Sequence, residues 1–161
     1  MFSQFIARLF GVIRGVIVGI FVLLVAVTFA QVIFRYLLAS PLTWTDEFAR
    51  YCFVWIVYLA APIALHRGLH IGVDMLTIHL SEKTRRVLAA VNDLFTLAVV
   101  VIIGFASIEV LSANRLQFSP ALGVQMAIVY LAIPLSMGIM ALVVAAKLLR
   151  LTDPVDSKER P

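Results

Sequence analysis

The chain has 161 residues, of which 63% are hydrophobic and 14% charged, with a formal net charge of +4 and a mean hydropathy of +1.06. That balance is too apolar for a soluble core and leaves no stretch long enough for a separate soluble domain, so one membrane domain is the economical reading. Cys52 is the single cysteine, which excludes an internal disulfide or a cysteine-based zinc site. The basic residues gather at the ends of apolar runs, a pattern that speaks for orientation in a lipid bilayer rather than for binding nucleic acid.

Near the N-terminus, Phe2, Phe5, Ile6, Leu9, Phe10 and Ile13 recur at helical spacing, with Ser3, Gln4, Arg8 and Arg14 on the other side. This is the pattern of an interfacial lead-in helix. Between Arg14 and Arg35 lies the uncharged run GVIVGIFVLLVAVTFAQVIF. About 20 residues rising about 1.5 Å each reach about 30 Å, the thickness of a bilayer core. The run is longer than the roughly 7–15 apolar residues of a cleavable signal peptide. It is therefore read as the first span, residues 14–38, with Gly15-x-x-x-Gly19 a candidate helix-contact face.

The second span is expected over residues 43–65. Thr43 or Thr45 can cap it, Asp46 and Glu47 suit the positive end of its dipole, and Pro62 removes a backbone donor near its far end. From His66 to Arg86 the connection is too long for a tight turn, and Val73, Leu76, Thr77 and Leu80 form an apolar face suited to a short interfacial amphipathic helix over 73–80. The third span is expected over 87–112, with Ser81 as a cap. The fourth is expected over 120–149, opened by Ser119-Pro120 and kinked at Pro134. Residues 1–151 thus form an all-α membrane domain of four transmembrane helices, and 152–161 a polar tail.

With both termini cytoplasmic, ten basic residues (Arg8, Arg14, Arg67, Lys83, Arg85, Arg86, Lys147, Arg150, Lys158, Arg160) lie inside and three (Arg35, Arg50, Arg115) outside. The positive-inside rule favours that orientation.

The best local cluster for catalysis or metal binding is His66, Arg67, His70, Asp74 and His79. Gly68 and Gly72 interrupt the helix that would align its ligands, and no recognised ligand motif is present. Phosphate-binding loops and a nucleophile elbow are also absent, so no enzyme activity is expected. Thr28, Gln31, Gln125 and Ser136 are uncharged polar residues suited to helix packing rather than to an ion path. Trp44 fits an interfacial aromatic belt, and Trp55 fits packing between helices. At one end of the first two spans stand Arg35, Asp46, Glu47 and Arg50. Asp46 and Glu47 are four and three residues before Arg50, so both carboxylates can approach its guanidinium, with Arg35 closing the cluster; alternatively each side chain snorkels into water and headgroups.

The segment QVIFRYLLASPLTWTDEFARYCFVWIVYLAAPIALHRGLHIGVDML, residues 31–76, resembles the signature region of the small membrane (Q) subunit of TRAP transporters, the tripartite ATP-independent periplasmic carriers, of the DctQ-like family. The pieces that carry the likeness are Gln31 and Arg35-Tyr36, then Trp44 with Glu47 and Arg50, then Trp55, then His70 and Asp74. PALGVQMAIVYLAIPLSMGIMAL, residues 120–142, resembles the family's last span; Pro62 and Gln125 depart from the usual pattern. The resemblance implies a bacterial inner-membrane subunit that holds no cofactor and scaffolds a large membrane subunit carrying the solute and sodium sites. The assembly would use a sodium gradient to take up an organic acid delivered by a periplasmic solute-binding protein. The alternative is the membrane anchor of an electron-transfer complex, using His66, His70 or His79.

Overall fold

The computed structural model describes residues 2–67 and 82–149. Among these, the helices are α1 (Phe2–Tyr36), α2 (Thr45–His66), α3 (Glu82–Ala113), α4 (Met126–Tyr130) and α5 (Ala132–Leu148). Four stretches are long and apolar enough to cross a membrane: Ile6–Tyr36, Thr45–His66, Val87–Ala113 and Met126–Leu148, the last combining α4 and α5. The fold is that of an all-α membrane protein with four spans. The expected helix over 73–80, the Ser81 cap and the tail 152–161 lie outside the described residues.

Local chemistry sets the boundaries. The lead-in segment and the first span form one continuous helix, which ends at Tyr36, just before Ala39 turns to a φ of 50° and Pro41 restricts the chain. At the start of α2 neither threonine acts as a cap. Trp44 takes that position without a side-chain bond, and the buried Thr45 hydroxyl donates backward to the Leu42 carbonyl at 2.7 Å. The fourth span begins at Met126 rather than near residue 120, because Ser119 to Val124 closes a loop. In that loop Gly123 N–H donates to the Ser119 carbonyl at 3.0 Å and Ser119 N–H to the Val124 carbonyl at 2.9 Å. Gly123 has a φ of +65°, a conformation that L residues rarely adopt.

The helices form a row. Among the described residues α1 packs on α2, α2 on α4 and α5, and these on α3, while α1 and α3 form no packed pair. Phe10 stacks on His66 with ring centroids 4.7 Å apart, and Gln31 meets Asp46, so α1 and α2 run antiparallel in step between those two levels. The stretch from Phe10 to Gln31 rises about 32 Å at about 1.5 Å per residue, close to the core thickness of a bilayer. Ile6, Phe10 and Ile13 of α1 join Leu59 of α2 and Val143 and Ala146 of α5 in a buried cluster at the His66 end. On the other side of α5, a Cβ at Gly104 would lie 3.4 Å from Met137 Cβ, so α3 and α5 approach closely. Lys147 Nζ lies 2.8 Å from Asp93 Oδ1, joining the same two helices near one end.

The two prolines within spans act differently. Pro134 cannot donate to the Tyr130 carbonyl, and the helix is interrupted at Leu131, next to that site. Pro62 likewise deprives the Tyr58 carbonyl of its usual donor four residues on. There α5 supplies the replacement, for the fully buried Ser136 hydroxyl donates to the Tyr58 carbonyl at 2.6 Å. An unpaired buried acceptor costs about 1–3 kcal/mol, although hydrogen bonds between membrane helices average about 0.6 kcal/mol. Ser136→Ala should therefore destabilise the chain by about 1 kcal/mol, within these two ranges. In a Pro62→Ala background, where the new N–H serves Tyr58, most of that loss should vanish. Reversible unfolding of the four variants in mixed micelles tests this, and equal losses in both backgrounds would refute the coupling.

Candidate functional site

At the end of the row opposite His66, the first turn of α2 brings two carboxylates toward neighbouring elements. Asp46 Oδ1 accepts a bond from Gln31 Nε2 of α1 at 2.6 Å. Glu47 Oε2 accepts from the backbone N–H groups of Ala121 and Leu122, each at 3.0 Å, and the side chains of Tyr51 and Ser119 complete its surroundings. Two consecutive amides aimed at one oxygen form an anion-binding nest, here filled by the chain's own carboxylate. One turn along α2, the Tyr51 hydroxyl donates to Met126 Sδ at 3.4 Å. Val124 N–H donates to Ser119 Oγ at 3.2 Å and Met126 N–H to the Gln117 carbonyl at 2.8 Å. The loop is thereby fixed both to itself and to α2.

This arrangement differs from the expected ion-pair cluster. Among the described residues the only salt bridge is that between Lys147 and Asp93, and neither Arg35 nor Arg50 has an ion-pair or hydrogen-bond partner. Both are exposed. Helical spacing permits an approach to Arg50, but Glu47 instead meets two preorganised amides and Asp46 a neutral amide on α1. Gln31, Asp46 and Glu47 thus stand in contacts within the chain, whereas Arg35 and Arg50 form no hydrogen bond or ion pair with them. Trp44 is 37% exposed and packs edge-on against Phe48, with ring centroids 6.1 Å apart. Trp55 is partly buried against the cluster at the His66 end. His70 and Asp74 lie outside the described residues.

The partner of Glu47 was missed in the sequence because Ser119-Pro120 reads equally well as a helix opening. Gly123, four residues after Ser119, was the available signal for a loop. Among the described residues no group of three or more histidine, cysteine, aspartate or glutamate side chains is arranged to hold a metal ion. These contacts tie α1, α2 and the start of the fourth span together at one end of the row.

Four membrane-length helices joined by side-chain contacts define a multi-pass integral membrane protein. The chain belongs to the family of tripartite ATP-independent periplasmic transporters, DctQ component, which matches residues 24–153. It is a small permease subunit of a TRAP transporter. It is 32% identical to the ectoine TRAP transporter small permease protein TeaB of Halomonas elongata over 154 residues, covering 92% of this chain and 80% of that protein. Identity to the C4-dicarboxylate TRAP transporter small permease protein DctQ of Rhodobacter capsulatus is 29% over 115 residues, 69% of this chain and 50% of that protein. The isethionate TRAP transporter permease protein DctMQ of Oleidesulfovibrio alaskensis is 30% identical over 133 residues, 78% of this chain. The matched region is only 21% of that longer protein.

If Glu47 holds the loop, Glu47→Ala should raise amide hydrogen exchange at Ala121 and Leu122 several-fold. Arg50→Gln should leave those amides at the wild-type rate. Exchange measured on the purified full chain distinguishes the clasp from an ion-pair cluster, in which both substitutions would act.

Proposed function

We propose that the chain braces a large TRAP membrane subunit in the bacterial inner membrane, and that the assembled transporter uses a sodium gradient to import an organic acid delivered by a periplasmic binding protein. In this reading both termini are cytoplasmic and the Glu47 end is periplasmic. The observation that carries the scaffold role is the distribution of charge. Charged side chains are absent between Arg14 and Arg35, between Arg50 and His66, between Asp93 and Glu109 and between Arg115 and Lys147. Transport sites for ions and acids ordinarily place polar or ionisable groups near the bilayer midplane. The chemistry of solute movement is thus assigned to the partner.

The long DctMQ relative supports a large permease partner, since the region matched by this chain is a fraction of a longer permease protein. Relatives named for isethionate, C4-dicarboxylate and ectoine differ in substrate, so the proposal extends to the class of small organic acid and no further. Membership in a transporter family argues against an enzyme and gives the electron-transfer reading no support. Arg35, Trp44 and Arg50 are proposed as contacts to the partners, because their exposed side chains are not used by the clasp.

Two experiments test the reading. Single cysteines at Ser40 and Leu149 in a Cys52→Ala background should differ in labelling by an impermeant thiol reagent in intact spheroplasts. Ser40→Cys should react and Leu149→Cys should not; the reverse would overturn the orientation. Liposomes holding this chain alone should show no sodium-driven acid accumulation, whereas liposomes holding the chain with its large subunit and binding protein should. Uptake by the chain alone would sink the scaffold role.

A further inference from the structure

Between the end of α3 and the start of the fourth span lies an open groove of about 260 Å³, lined by Leu111, Arg115, Gln125, Ala127, Ile128 and Leu131. Its lining is almost wholly apolar below a polar mouth. Leu111 stands one helical turn before Arg115, and Leu131 one turn beyond Ala127, so apolar side chains continue into the spans from the level of the arginine. Ile128 and Leu131 are 52% and 44% exposed, facing the medium around a membrane span rather than a protein interior.

The mouth is positively charged and unpaired. Arg115 has no carboxylate partner among the described residues. Glu109, the nearest carboxylate along α3, is two residues from Leu111 and therefore on nearly the opposite face of the helix. The Gln125 side-chain amide donates to the Arg115 carbonyl, which fixes the turn and leaves the guanidinium available. A cation at the interfacial end of an apolar groove matches the two-part chemistry of a phospholipid: phosphate oxygens for the guanidinium fork and an acyl chain for the groove.

We propose that this groove binds one phospholipid, with its phosphate on Arg115 and an acyl chain along Leu111, Ala127, Ile128 and Leu131. The site requires only that the chain sit in a bilayer, and it is independent of the partners and substrate proposed above. Soluble phosphate has the same anionic chemistry, but it would gain nothing from the apolar lining.

Native mass spectrometry of the delipidated full chain in mild detergent, titrated with phosphatidylglycerol, tests the site. Wild type should retain one lipid. Arg115→Gln should weaken retention about tenfold, the low end for loss of a hydrogen bond to a charged group. Arg115→Lys should keep most of it, and Ala127→Phe should block it by filling the groove. Helical circular dichroism at the wild-type level identifies variants that remain folded. Diacylglycerol with the same chains should bind at least tenfold more weakly than phosphatidylglycerol, and millimolar inorganic phosphate should not displace the lipid. Undiminished binding in folded Arg115→Gln, equal binding of diacylglycerol, or displacement by inorganic phosphate would each overturn the proposal.

Discussion

Hydrocarbon offers the backbone no hydrogen bonds, so each carbonyl and N–H in the bilayer core must find a partner within the protein. Most of this chain meets the constraint with uninterrupted helices. Pro62 breaks it at one carbonyl, and the repair comes from a different span through Ser136 and Tyr58. The repair also fixes how α2 and α5 meet, because a hydroxyl that must reach one particular carbonyl tolerates little sliding or rotation. Packing of the central pair therefore follows from a backbone deficit as well as from apolar contact. The loop between Ser119 and Met126 follows the same logic, with the N–H groups of Ser119, Ala121, Leu122, Gly123, Val124 and Met126 donating to nearby carbonyls, a serine hydroxyl and Glu47.

Each outer helix spends only a narrow stripe on this central pair. On α1 the buried and partly buried residues Ile6, Phe10, Ile13, Ile17 and Ile20 recur every three or four positions, with Leu9 beside them. On α3, Val100 and Ser107 are buried and Gly104 lies against Met137. The remaining faces of both helices carry exposed apolar side chains, including Phe21, Phe29, Phe95 and Phe105. A closed four-helix bundle would bury a stripe from every helix against two neighbours. Among the described residues α1 and α3 do not pack on each other and keep broad apolar faces exposed, which suits a subunit that offers surface to lipid and to a larger partner.

The sequence revealed the number, type and approximate position of the spans, because uncharged runs of membrane length have few other uses in a chain this apolar. It also marked Pro62 and Ser136 separately, one as a break and the other as a polar packing residue. Their pairing was not legible, since it depends on which helices become neighbours. The same limit applies to Glu47. Helical spacing presented Arg50 as its partner, whereas the fold brings the Ala121 and Leu122 amides to it from the far side of the chain. Local spacing shows which contacts are possible; the register between α2 and the fourth span decides which one forms.

That decision has an electrostatic consequence. Had Asp46 and Glu47 paired with Arg50 and Arg35, the four charges would have neutralised one another in a self-contained cluster. Instead both carboxylates are occupied by uncharged donors, an amide side chain and two backbone N–H groups. Neither carboxylate uses a cation for these contacts. The guanidinium groups of Arg35, Arg50 and Arg115 consequently remain exposed at the same end of the row. An interface built this way holds its helices together with negative charge and leaves positive charge exposed, so internal cohesion and outward charge rest on different residues.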